Sequence, residues 1–124
     1  QILAPHMGMV KTDDGGELMV DGAINGTPSV LVDAVLVPAG KESVKTLMQN
    51  GDAKYHICQA YKHLKPIALA GEAKDLLASC KLPEGHDAGL IADADTAKAM
   101  KAFIEAMKMH RIWDREDKAK EVTA

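Results

Sequence analysis

The residues of this chain that could do chemistry are two cysteines, five histidines and whatever stands at one strand-to-helix corner. The stretch Lys65-Pro66-Ile67-Ala68-Leu69-Ala70-Gly71-Glu72-Ala73 reads as a buried strand turning sharply into a helix. In many α/β enzymes that corner carries an exposed nucleophile; here Gly71 and Glu72 stand there. The corner keeps the scaffold of an active site and lacks its reactive atom. Cys58, beside Ile57 at the apolar margin of a helix, reads as a small buried hydrophobe. Cys80 falls at a helix end and is expected to be partly exposed, with no cation-rich pocket to lower its pKa. Neither stands on the corner, so nucleophilic catalysis has no evident carrier.

A metal site would draw on His6, His56, His63, His86 and His110. His56 and His63 are seven apart, two turns along one helical face, whereas zinc favours a pair three or four apart. Glu84-Gly85-His86-Asp87 reads as a solvated polar turn. Gly8, Gly15, Gly16 and Gly22 are assigned to hairpin turns rather than to a phosphate cradle, and Gly40 to a simple turn. No metal, nucleotide or flavin site is expected within the chain.

The elements that would position these residues alternate from Val32 onward. Ile2 to Ala4 is a short buried strand closed by Pro5. Met9–Thr12 and Glu17–Val20 flank Asp13-Asp14-Gly15-Gly16, a hairpin pattern. Ile24 to Pro28 is loop. Val32–Val37 is nearly continuous apolar strand, which implies cover on both faces. A helix follows from Glu42 to Met48, and Asn50-Gly51 breaks it. Asp52 is the expected cap of a second helix whose Ala53, Ile57, Ala60, Tyr61 and Leu64 share one face. Ile67–Ala70 and Leu90–Ala92 are further strands. Asp95 caps a last helix with Met100, Phe103, Ile104 and Met107 as its apolar stripe. Strand alternating with helix means a parallel sheet with crossover helices, an α/β fold. Residues 114–124 read as a poorly ordered charged tail after a domain of residues 1–113.

The bulk numbers fit one domain. At 124 residues the chain can bury about two-thirds of its unfolded surface. Aromatics are confined to Tyr55, Tyr61, Phe103 and Trp113, so aliphatic side chains must fill the interior. A formal charge of −3 offers no long-range attraction to nucleic acid or anionic lipid. No apolar run approaches the ~20 residues of a membrane helix, and no secretory signal is visible. Two cysteines are too few for a disulfide framework and fit a reducing compartment. Gln1-Ile2-Leu3-Ala4 opens as though inside a strand, without an initiating Met, so a fragment of a larger protein is expected.

Asn50-Gly51-Asp52-Ala53, the run from Ala60 through Tyr61-Lys62-His63-Leu64-Lys65-Pro66-Ile67-Ala68-Leu69-Ala70 to Gly71, and His110-Arg111-Ile112-Trp113 together resemble the C-terminal domain of the large-subunit catalases of hydroperoxidase II type. The resemblance spans essentially the whole chain, including Asp33–Pro38 and the Asp13-Asp14-Gly15 hairpin. It implies a flavodoxin-like three-layer sandwich: a mostly parallel sheet with helices on both faces and a small β-hairpin. The superfamily shared with class I glutamine amidotransferases places a catalytic Cys at the corner, followed by His; the matching positions here are Gly71 and Glu72, so catalysis does not carry over. The parent proteins are cytoplasmic haem homotetramers that dismutate hydrogen peroxide, and their haem ligands lie far upstream of this segment.

A complete domain of this kind has one more strand and helix before Gln1. In the order two, one, three, four, five, that strand would lie between Ile2–Ala4 and Val32–Val37 and leave a gap about one strand wide. The expected function is therefore a non-catalytic accessory domain that packs on the catalase core and stabilises the subunit and tetramer. The alternatives are an independent holdase-like or protein-binding module and, disfavoured by Gly71, a cysteine hydrolase. Trp113 is expected to pack within the domain, with a contact to the catalase core as the other possibility.

Overall fold

The computed structural model of the protein describes residues 1–82 and 87–122. Of the polar turn expected at Glu84-Gly85-His86-Asp87, only Asp87 lies within them. Elements run β1 (Leu3–Ala4), β2 (Met9–Lys11), β3 (Glu17–Met19), β4 (Gly22–Ala23), β5 (Val35–Val37), α1 (Lys41–Met48), α2 (Gly51–Lys62), β6 (Ile67–Ala70), α3 (Leu76–Ser79), β7 (Leu90–Asp93), α4 (Thr96–Met107) and α5 (Glu116–Ala119). Single-turn 3₁₀ segments cover Ile24–Gly26, Ser29–Leu31, Gly71–Asp75 and Trp113–Arg115.

β5, β6 and β7 form a parallel sheet in that order, with Val35 opposite Ile67 and Ile67 opposite Leu90. The α/β class and the parallel sheet read from the sequence are the observed ones, and the arrangement is consistent with a flavodoxin-like fold. β2 and β3 make the expected antiparallel hairpin. Its turn closes through Gly15 at φ +86° and the Gly16 N–H donating to Asp14 Oδ1 at 3.0 Å.

β6 is buried at all four residues because both of its faces are covered. Ile67 and Leu69 point one way, into a cluster with Val37, Val44, Ile57, Tyr61, Leu76 and Leu90. Alternation sends Ala68 and Ala70 to the opposite face. There α4 packs on β6 and β7 through Ala99, Phe103 and Ala106. Small side chains on both sides let helix and sheet approach closely. Burial of each Leu or Ile here contributes about 1.5–3 kcal/mol.

Two helix expectations change. The buried stripe of α4 is Ala99-Phe103-Ala106, while Ile104 and Met107 are exposed, so the helix is turned from the expected stripe toward its alanines. Asn50 rather than Asp52 caps α2, accepting from the Ala53 N–H at 2.8 Å. The helix begins at Gly51, which leaves the Asp52 carboxylate within the first turn, where it favours the positive end of the helix dipole. Asp95 caps α4 as expected, accepting from Lys98 N–H at 3.2 Å.

Residues 114–122 are not the solvated tail their charge implied. Arg115 is 0% exposed. Its Nε and Nη2 donate to the two carboxylate oxygens of Asp87, each at 2.8 Å, and Nη1 donates to the Lys65 carbonyl at 2.7 Å. The guanidinium carbon lies 4.3 Å from the centre of the Tyr61 ring. Ala119 and Val122 bury beside it. Sequence reading missed this because a charged run looks solvated until its partners, 28 and 50 residues away, are known.

The same segment corrects the expectation for Trp113. Ile112 takes the inward position, donating its N–H to Leu64 O at 2.8 Å and lying so close to Gly89 that a Cβ there would collide with it. The turn that follows swings Trp113 outward, 64% exposed.

Arg115→Ala should cost about 3–5 kcal/mol in urea unfolding, because Asp87 keeps its charge without the cation that balances it. Burial raises the Asp87 pKa, but the hydrogen bonds and charge of Arg115 outweigh it and hold it below the usual carboxylate value. The pair's stabilisation is thus complete above about pH 4 and is lost as pH falls through the lowered value. Asp87→Asn should remove that acid-dependent part of the stability profile; an unchanged profile would contradict the assignment.

Candidate functional site

The corner after β6 has the backbone of a nucleophile elbow. Gly71 sits at φ +56°, the left-handed region where a strand turns abruptly into helix. Yet the position has no space for a side chain. A Cβ on Gly71 would stand 2.6 Å from the Cβ of Ala39, on the turn between β5 and α1. Ala39 has no flexible end that could move aside, so neither Cys nor Ser can be accommodated without shifting backbone.

Glu72 closes the corner further. Its Oε2 accepts from the Gly40 N–H at 3.1 Å, and Gly40 is the N-cap of α1. A helix N-terminus is a natural seat for a phosphate or substrate carboxylate; here the chain's own carboxylate occupies it. Gly40 is thus a turn glycine, as expected, but a turn tied across to the elbow.

The histidines on α2 hold a loop. Nε2 of His56 donates to the Thr27 carbonyl at 3.0 Å, and Nδ1 of His63 lies 3.2 Å from the buried Ser29 hydroxyl. Their spacing of two turns matches the two ends of the 27–29 segment. Burial lowers the pKa of both; for His63 the charges of Lys65, Arg111 and Lys62 add to the effect. The neutral imidazoles therefore serve as hydrogen-bonding clamps. His6 and His110 are exposed, and His86 lies outside the described residues. Among the described residues no three His, Cys, Asp or Glu side chains gather as metal ligands.

The cysteines reverse their expected exposures. Cys80 is 1% exposed and Cys58 only half-buried. Neither cysteine is in a disulfide.

A groove of about 680 Å³ lies between Gln1–Leu3 and Val32–Pro38, with Ile57, Phe103 and Met107 among its walls. β1 pairs in parallel with β4, Leu3 opposite Gly22, and not with β5. Gly22, assigned to a hairpin turn, is therefore a strand residue. Among the described residues β5 is bonded only to β6, its Val35 N–H donating to the Pro66 carbonyl at 3.0 Å. Alternation directs the N–H and C=O of Leu36 to the other edge, into the groove. The strand expected to be covered on both faces is shorter than its apolar run and open along this side, with Leu36 exposed. The gap stands between the same two strands where the sequence placed an absent one.

Residues 1–117 match the family described as the C-terminal domain found in long catalases. The chain belongs to that family. It is 36% identical over 124 residues to "Catalase HPII" of Pseudomonas aeruginosa, covering all of this chain and 17% of that protein. "Catalase HPII" of Pseudomonas putida is 40% identical over 123 residues, 99% of this chain and 16% of its own length. "Catalase-B" of Dictyostelium discoideum is 32% identical, over 99% of this chain and 18% of its length. The chain thus spans about a sixth of these relatives.

Long catalases imply haem, and this segment does not fit it. His56, the imidazole lining the groove, has its Nε2 engaged with the Thr27 carbonyl and not free for iron. The groove's other walls are mostly aliphatic, with Gln1, Asp33, Phe103 and Met107 among them.

The closed elbow yields a direct test by double-mutant cycle. Gly71→Ala should destabilise the protein by about 2–4 kcal/mol, combining overpacking with the left-handed penalty. Adding Ala39→Gly should recover the overpacking part and leave about 1–2 kcal/mol from the backbone. Urea midpoints that show no coupling between the two sites would contradict the contact.

Proposed function

We propose that this chain is a non-catalytic accessory domain of a long catalase, stabilising the subunit and its homotetramer. In the parent protein, haem-dependent dismutation of hydrogen peroxide to water and oxygen belongs to residues outside this segment. The observation that carries the reading is the unpaired interior edge of β5 facing an apolar groove. An open strand edge presents a row of unpaired N–H and C=O groups, and another strand is its natural complement. The occupant we assign is an extended segment of the same polypeptide, outside these residues, since the relatives devote about five-sixths of their length to other parts.

Two features support a role in packing over catalysis. The elbow is filled by Ala39 and Glu72, which weighs against the cysteine-hydrolase reading. Trp113 projects outward beside Arg111, an aromatic anchor suited to the surface of a larger body. The independent binding module draws on Met7, Met9 and Met19, all exposed around the hairpin. We assign those side chains too to contacts within the parent assembly. The unpaired cysteines agree with a cytoplasmic setting.

Heating full-length and domain-truncated protein side by side tests the stabilising role. Truncation should lower the temperature of tetramer and activity loss by at least about 5 °C, the scale of one or more kcal/mol. Equal resistance of the two forms to heat and denaturant would remove it.

A further inference from the structure

α4 carries more apolar surface than it buries. Ala99, Phe103 and Ala106 lie against β6 and β7. Met100, Ile104 and Met107, at four- and three-residue spacing, form a second ridge along the neighbouring flank of the helix. Ile104 and Met107 are exposed and Met100 is partly so. The charged residues Lys98, Lys101 and Glu105 occupy the remaining side. An α-helix turns about 100° per residue, so buried face and ridge together span roughly 160° of its circumference. Lying on β6 and β7 uses only part of that arc.

The unused part borders the open flank of β5. Phe103 and Met107 line the same groove as Leu36. Leu36 stands opposite Ala68, and Ala68 opposite Ile91, so all three side chains face the α4 side of the sheet. That side is sealed at Ala68, which is 0% exposed, and open at Leu36, which is 38% exposed. The ridge of α4 and the uncovered face of β5 are thus two walls of one apolar corner.

We propose that this corner seats an amphipathic α-helix of the same polypeptide, from outside these residues, lying beside α4 against Leu36, Ile104 and Met107. The inference rests on the reading that a strand of that polypeptide completes the edge of β5, and it adds the element that covers the face above it. A strand alone fills the edge and leaves Leu36 and the ridge in water. A strand set parallel to β5 also continues through a crossover of about a dozen or more residues, most often a helix. Handedness fixes the side on which that helix lies. α1 and α2 connect β5 to β6, α3 connects β6 to β7, and all three pack on the Ile67–Leu69 face. A right-handed crossover stepping the opposite way, from the open edge away from β6, falls on the α4 face. The length of chain for it exists, since the relatives hold about five-sixths of their residues elsewhere. The inner face of this helix should carry aliphatic residues at three- and four-residue spacing, with charged residues outward.

The test uses the full-length protein, with maleimide labelling of single substitutions followed by peptide mapping. Lys101→Cys, on the charged side of α4, should label freely, and Ile104→Cys should label at least about tenfold more slowly. A second measurement needs no substitution. In full-length protein grown with photo-methionine, cross-links from Met100 and Met107 should fall on residues three or four apart in one peptide outside residues 1–124. The subunit should keep its size on a denaturing gel. Equal labelling of Ile104→Cys and Lys101→Cys would overturn the proposal. So would cross-links to every second residue of a segment, or a cross-linked dimer band. Amide exchange at Leu36 reads the strand separately: protection there, with Ile104→Cys freely labelled, would remove the helix and leave the strand standing.

Discussion

Where β6 ends, two backbones approach so closely that only a hydrogen atom fits between them. Gly71 on one side and Ala39 on the other bring the end of β6 against the turn that leaves β5. This contact holds the elbow, places Glu72 over the first turn of α1, and locks β5 in parallel register with β6. It also consumes the space a nucleophile would occupy. The left-handed φ of a catalytic elbow survives here on a glycine, which adopts it without strain. What the bend maintains here is packing: sheet, turn and helix N-terminus are joined at one point.

With the elbow shut on one flank of β5, the openness of the other flank stands out. His56 and His63 clamp the 24–31 segment onto α2, so the groove wall is held in place rather than collapsed onto β5. Phe103 and Met107 line the floor from α4. Arg115 draws the C-terminal segment onto the far side of the cluster, against Tyr61 and Asp87. The domain is thus tied together around its periphery and unpaired along one strand edge. A hydrogen-bonded surround with one open strand edge is the form expected of a module completed by a larger chain.

Much of this was legible in the residues because local pattern and burial agree. β6, the hairpin, the buried face of α2 and the Asp95 cap all follow from periodicity and turn chemistry. The empty corner was visible at Gly71, though not that Ala39 blocks it, since that contact joins residues 32 apart. The failures share a cause. Arg115, the Ser29–His63 contact and the outward Trp113 all depend on partners distant in sequence. α4 was misjudged because alanine scores weakly as apolar, yet its size lets a helix lie close on Ala68 and Ala70. In β5 the apolar run was real, but the strand is shorter than that run and pairs along one edge.

The most direct measurement is amide hydrogen exchange at Leu36, whose N–H points into the groove. It should be compared between this 124-residue chain and the full-length protein, with Val35, bonded to Pro66, as the internal reference. The account predicts rapid exchange at Leu36 in the isolated chain and protection comparable to Val35 in the full-length protein. Rapid exchange at Leu36 in both forms, with Val35 protected in both, would contradict the claim that another strand completes this domain.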